Sequence, residues 1–100
     1  MRESDKSGKE GPAEKMYYVS VFKNQNKGKS YIEYSEDEPK KRLKLHNLGE
    51  VKETENRAPF ELVYYEAYKS KEEAIHRTNS LKLYSNAWAQ LKRRIRKSLE

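Results

Sequence analysis

Residues 31–47 read YIEYSEDEPKKRLKLHN, and the fold turns on how this stretch divides. Tyr31 and Glu33 lie two apart in a strand-like run, so their side chains share one face. Pro39 suits the first position of a helix, where its missing N–H has no partner to lose, and Ser35 or Asp37 stands upstream as a cap. On that helix Arg42 and His46 are four apart, one above the other. A phenol, a guanidinium and an imidazole thus meet where a short strand leads into a short helix. Such a trio suits phosphodiester chemistry, the guanidinium holding a phosphate oxygen bidentately while phenol or imidazole moves a proton. A solvated basic helix with an isolated histidine fits the same spacing.

Upstream, MYYVSVF has the β-branched and aromatic content of a strand, with Tyr17, Val19 and Val21 on one face and Tyr18, Ser20 and Phe22 on the other. KNQNKGK is a turn in which Gly28 can take a positive φ, and SYIEYS returns as the second strand. Residues 1–15, MRESDKSGKEGPAEK, hold four basic and four acidic residues and almost nothing apolar. They read as a disordered leader, because ordering them would cost backbone entropy without burying anything. Residues 16–100 form the domain.

Downstream of the helix, residues 48–59 are polar and loop-like, with Thr54, Asn56 and Arg57 able to contact phosphates. PFELVYYEAY is the most apolar strand and is predicted to be central. Ser70 followed by Glu73 forms a capping box for a helix through Ala74, Thr78 and Leu81. Ser85 caps a last helix, whose Trp88, Leu91, Ile95 and Leu99 recur as an apolar seam. Its other side carries Lys92, Arg93, Arg94, Arg96 and Lys97, five positives in six positions. With Lys40, Lys41, Lys44 and Arg57, these cations form the candidate nucleic-acid-binding set.

The predicted order β-β-α-β-α-α defines an α/β (α+β) domain, a small three-stranded sheet flanked by helices. The chain carries a formal net charge of +6 and a pI near 9.4, which favours an anionic partner. It has no cysteine, which excludes disulfides and thiolate metal sites and fits a reducing, cytoplasmic setting. No apolar run approaches the ~20 residues that span a bilayer, so no membrane partner is expected.

With these elements in place, the chain resembles the small stand-alone GIY-YIG nuclease domains, relatives of the catalytic domains of homing endonucleases and bacterial excision-repair nucleases. YYVSVF looks like the GIY strand and YIEYS like the YIG strand. KKRLKLHN matches the arginine-x-x-x-histidine helix, and RAPFELVYYEAYKSKEEA matches the third strand and the following cap. The resemblance covers residues 16–95.

It implies divalent-metal-assisted cleavage of nucleic-acid phosphodiesters, with Mg²⁺ or Mn²⁺ as cofactor. In the family two tyrosines flank the attacking water, the arginine stabilises the charged phosphate, the histidine assists, and a helix glutamate holds the metal. Carried over, the second tyrosine is Tyr31, the arginine Arg42 and the histidine His46. Three positions depart: the first tyrosine falls on Ser20, the YIG glycine on Glu33, and the metal-binding glutamate on Thr78. One extra residue also separates Tyr31 from Arg42 relative to the usual spacing.

A threonine hydroxyl is a poor substitute for a carboxylate toward Mg²⁺, and losing the metal forfeits several kcal/mol of transition-state stabilisation. Glu33 shares its strand face with Tyr31, where a phosphate must approach; like charges about 4 Å apart repel by around 4 kcal/mol at an effective dielectric of about 20. Glu72 and Glu73 point away from the direction of Thr78. The leading expectation is a GIY-YIG-type domain that binds nucleic acid, duplex DNA foremost, with cleavage lost or much weakened. The alternatives are an active endonuclease with its metal relocated to Glu33, and a protein-interaction module keeping only the fold.

Overall fold

The computed structural model describes residues 15–100; the leader expected over residues 1–15 lies, apart from Lys15, outside them. Three strands, β1 (Tyr17–Asn24), β2 (Ser30–Ser35) and β3 (Phe60–Tyr68), form an antiparallel sheet in the order β2-β1-β3. The central strand is therefore β1 and not the more apolar β3. Position follows burial on both faces: Val19, Ser20, Val21 and Phe22 are all sealed from solvent, whereas Tyr65 in β3 is 52% exposed. The tyrosines that make β3 look apolar present one face to the core and tolerate an edge.

Each face of β1 has its own cover. Val19 and Val21 pack with Ala74, Leu81, Leu91 and Ile95 from α2 (Lys71–Leu83), α3 (Ser85–Arg94) and the residue linking α3 to α4 (Arg96–Leu99). Phe22 on the other face meets α1 (Pro39–Asn47), its ring 4.7 Å from that of His46. The alternation read from the sequence thus holds on both faces.

Pro39 opens α1 as expected, but no side chain caps it: Glu38 takes the N-cap position in an extended conformation, and the Ser35 hydroxyl instead donates to the Asp37 carbonyl. The pyrrolidine ring fixes the helical φ without help. Gly49 ends the helix at φ +75, its N–H donating to the His46 carbonyl. Gly28 takes φ +70 in the β1–β2 turn.

Ser70 caps α2 by accepting from the Glu73 N–H at 3.2 Å. Ser85, however, is already the first residue of α3. The corner is made by Tyr84, whose N–H closes α2 on the Ser80 carbonyl while its own carbonyl receives the N–H groups of Ala87 and Trp88. These backbone bonds take up part of both helix ends, and no side-chain hydroxyl caps α3. The last helix breaks at Ile95 (φ −111, ψ 26) rather than running through to Leu99. The seam survives the break: Leu91 and Ile95 are buried, and Trp88 and Leu99 pack half-buried against the same core.

Candidate functional site

The β1–β2 ladder and α1 bring Glu33, Arg42 and His46 together. Arg42 donates from Nε to Glu33 Oε2 at 2.8 Å and from Nη2 to Oε1 at 2.7 Å, a bidentate pair with side chains only 22% and 10% exposed. His46 Nε2 lies 3.2 Å from the same Oε1, and its Nδ1 is 2.6 Å from Thr54 Oγ1. A carboxylate can only accept, so Nε2 carries the proton and Nδ1 accepts from the threonine hydroxyl. His46 is 0% exposed, with the rings of Phe22, Tyr31 and Phe60 at 4.7, 5.4 and 5.7 Å. Burial pulls its pKa below the ordinary 6.5, outweighing the pull of Glu33 in the other direction, so the ring is neutral. Thr54, expected to reach phosphates, is fully buried and spent on this histidine.

Tyr31 is half-buried at the edge of the cluster, with Lys82 Nζ 5.9 Å from its ring centroid. Burial, then the charges of Glu33 and Glu53, raise its pKa, so the phenol keeps its proton at neutral pH. Ser20 pairs with Glu33 across the β1–β2 ladder, fully buried, its hydroxyl without a hydrogen-bond partner. Thr78 lies one helical turn from both Ala74 and Leu81, on the α2 face turned to the Val19–Val21 side of the sheet. Its hydroxyl donates back to the Ala74 carbonyl at 2.9 Å.

These residues do not fit a divalent metal. Both Glu33 oxygens are taken by Arg42, one of them also by His46; the Thr78 hydroxyl is tied to its own helix. Among the described residues no group of three His, Cys, Asp or Glu side chains comes close enough to hold an ion. The carboxylate also fills the Nε–Nη2 edge of the guanidinium, one of the two edges on which a phosphate can be gripped bidentately.

The candidate cations divide into groups. Lys40, Lys41 and Lys44 are exposed on α1, Lys41 lying 3.6 Å from Asp37. Lys92, Arg93, Arg94, Arg96 and Lys97 are all exposed on α3 and α4, with Lys92 Nζ 5.8 Å from the Trp88 ring. Arg57 belongs elsewhere, in the wall of a cavity shared with Tyr31.

Two features escape a reading by motif. Glu66 on β3 accepts from Tyr64 at 2.6 Å, Tyr68 at 2.7 Å and Arg77 of α2 at 3.0 Å. Burial pushes this carboxyl up, but Arg77 and the two phenols together hold it below its ordinary value; burial and Glu66 push Tyr68 up to about 12. The alternation of Tyr64, Glu66 and Tyr68 on one strand face was its signal. Asn47, at the end of α1, receives the Phe60 N–H at 2.7 Å and donates to the Phe60 carbonyl at 3.0 Å, which pins β3 to the helix.

The three-stranded antiparallel sheet, with a strand tyrosine near an arginine and a histidine one helical turn apart, has the arrangement that the resemblance to the GIY-YIG class implies. A family model described as the GIY-YIG catalytic domain matches residues 16–93, and the chain belongs to that family. Its relatives include UPF0213 proteins from two strains of Staphylococcus epidermidis, each 38% identical over 69 residues, covering 69% of this chain and 83% of the relative. No solved structure matches it closely. Among the described residues no helix is long and apolar enough to cross a membrane.

Proposed function

We propose that this GIY-YIG domain binds duplex DNA through its basic surface and has lost the cleavage reaction. The Glu33–Arg42 pair carries this reading. Arg42 is the phosphate-stabilising residue by family resemblance, and a neighbouring carboxylate holds its guanidinium in a part-buried bidentate contact. A phosphate gripped on the same Nε–Nη2 edge must displace Glu33 and leave that carboxylate buried without its cation, a penalty of several kcal/mol. His46 is neutral, enclosed and bonded at both nitrogens, and serves to position Glu33 rather than to meet substrate. Among the described residues, water activation by a metal finds no donor set.

Binding rests on charge held at the surface. Lys40, Lys41, Lys44, Arg57 and the α3–α4 cations are exposed, and the chain carries +6 overall. Such a surface recruits DNA by counterion release, with non-specific dissociation constants of about 10⁻⁴ to 10⁻⁶ M at physiological salt. A cytoplasmic role in a DNA transaction such as repair belongs to the same proposal. Two measurements test it: anisotropy titration of labelled duplex across a salt series, and nicking of supercoiled plasmid with Mg²⁺ or Mn²⁺. The expected result is salt-dependent binding without nicking. Brisk metal-dependent nicking that Glu33→Gln abolishes would replace it with the relocated-metal nuclease, and salt-independent or absent binding would favour a protein-interaction module.

A further inference from the structure

The β1–β2 turn and the loop before β3 enclose a cavity of about 310 Å³ whose lining includes Tyr31 but neither Glu33 nor Arg42. Lys27, Lys29, Asn56 and Arg57 line it beside Tyr31, and among the described residues no carboxylate does. Among the described residues none of these three cations has an ion-pair partner, unlike Arg42 or Arg77. Three unpaired positive charges around one concavity repel one another, and an anion seated there relieves that repulsion.

The walls are held in place before any ligand arrives. Asn24 Oδ1 receives the backbone N–H groups of Asn26 at 3.0 Å and Lys27 at 2.7 Å, while its Nδ2 donates to the Arg57 carbonyl. The Gln25 N–H adds a bond to the Pro59 carbonyl at 2.9 Å. One buried side chain thus ties the lysine-bearing turn to the arginine-bearing loop, so ordering costs little on binding.

Size and composition select the ligand. The volume lies at the lower end of small-ligand pockets, about 300–1,000 Å³, which is larger than a bare phosphate needs and too narrow for a double helix. Half-exposed Tyr31 lines the cavity and carries an aromatic ring of the kind on which an unpaired base rests, and the cations supply its phosphate contacts. We infer that this cavity seats a single unpaired nucleotide, its phosphate held by Lys27, Lys29 and Arg57. The inference rests on the nucleic-acid reading above and names the part of the substrate that the cavity takes.

The test uses the full chain and dAMP as probe, with deoxyadenosine and inorganic phosphate as controls, followed by heteronuclear NMR titration. The expected result is dAMP binding at least tenfold tighter than either control, with shifts at residues 24–31 and 55–60. Lys27→Ala/Lys29→Ala/Arg57→Ala should weaken dAMP at least tenfold with an unchanged thermal melt, since these side chains hold nothing in the fold. Reversing Arg93, Arg94 and Lys97 to Glu should leave dAMP binding alone while weakening duplex. Equal binding of dAMP and deoxyadenosine, phosphate binding as tight as dAMP, or retention by the triple alanine variant would each overturn the inference. The two readings fail separately: duplex binding without dAMP binding removes the nucleotide seat alone, and dAMP binding without duplex binding removes the basic-surface reading alone.

Discussion

Ser20 and Glu33 stand directly opposite each other across the β1–β2 ladder, and they occupy the two positions where the family resemblance expects tyrosine and glycine. The pair has exchanged its volumes: large beside small has become small beside large. Opposed residues on neighbouring strands have Cβ atoms about 4.5–5.5 Å apart, so a phenol at position 20 would compete for the space in which Glu33 lies toward Arg42. The two departures are therefore direct neighbours, and their energetics should be coupled.

That coupling is measurable in a double-mutant cycle by urea denaturation. Ser20→Tyr alone forces a ring into a sealed site and should cost about 1–3 kcal/mol. Glu33→Gly alone strips Arg42 and His46 of their partner and should cost about 3–5 kcal/mol. The double variant should be less destabilised than the sum by about 0.5–3 kcal/mol. Simple additivity would show that the volumes are not shared.

Ser20→Ala makes a cleaner probe of the same spot. The serine hydroxyl is buried without a hydrogen-bond partner, so removing it removes a desolvation penalty and breaks no bond. Stability should stay level or rise by about 1 kcal/mol. A loss of 2 kcal/mol or more would mean that the hydroxyl is bonded in solution.

Glu33→Gln tests whether the carboxylate restrains Arg42. The variant keeps the shape, removes the charge and frees the guanidinium for phosphate. Duplex affinity should rise, and the salt dependence should steepen by about 0.9 in log–log slope, one additional phosphate contact. An unchanged slope would place Arg42 outside the DNA interface.

Acid should weaken the fold in two windows. His46 is held below its ordinary 6.5 in the folded state, so the unfolded chain binds more protons and stability falls as pH drops below 6.5. Glu66 is held below 4.5, so its contribution is present above that value and is lost as pH falls through it. Denaturation midpoints measured from pH 7.5 down to about 2.5 should decline in both ranges, and His46→Gln should flatten the upper one. A flat wild-type profile between pH 7 and 5.5 would contradict a buried neutral histidine.

Element order and both faces of β1 were legible because period-two alternation and Pro39 leave little choice. Strand order was not, since apolar content cannot tell a central strand from an edge strand rich in tyrosine. The line of Glu33, Arg42, His46 and Thr54 was half legible. Spacing on one helix places Arg42 above His46, but Thr54 reaches them only through the turn at Lys52–Thr54, which no periodicity announces. Likewise Arg57 reads as one cation among many, and only the Asn24 tether puts it opposite Lys27.

The exchanged pair also has a historical reading. A chain regaining the family's tyrosine and glycine one substitution at a time must pass through either a strand pair with too much in it or one with too little. Either intermediate forfeits an appreciable part of the about 5–15 kcal/mol that keeps a domain folded. Glu33 beside Ser20 would thus act as a ratchet: with it paired to Arg42, a first step toward the family's tyrosine and glycine is expected to run uphill in either order.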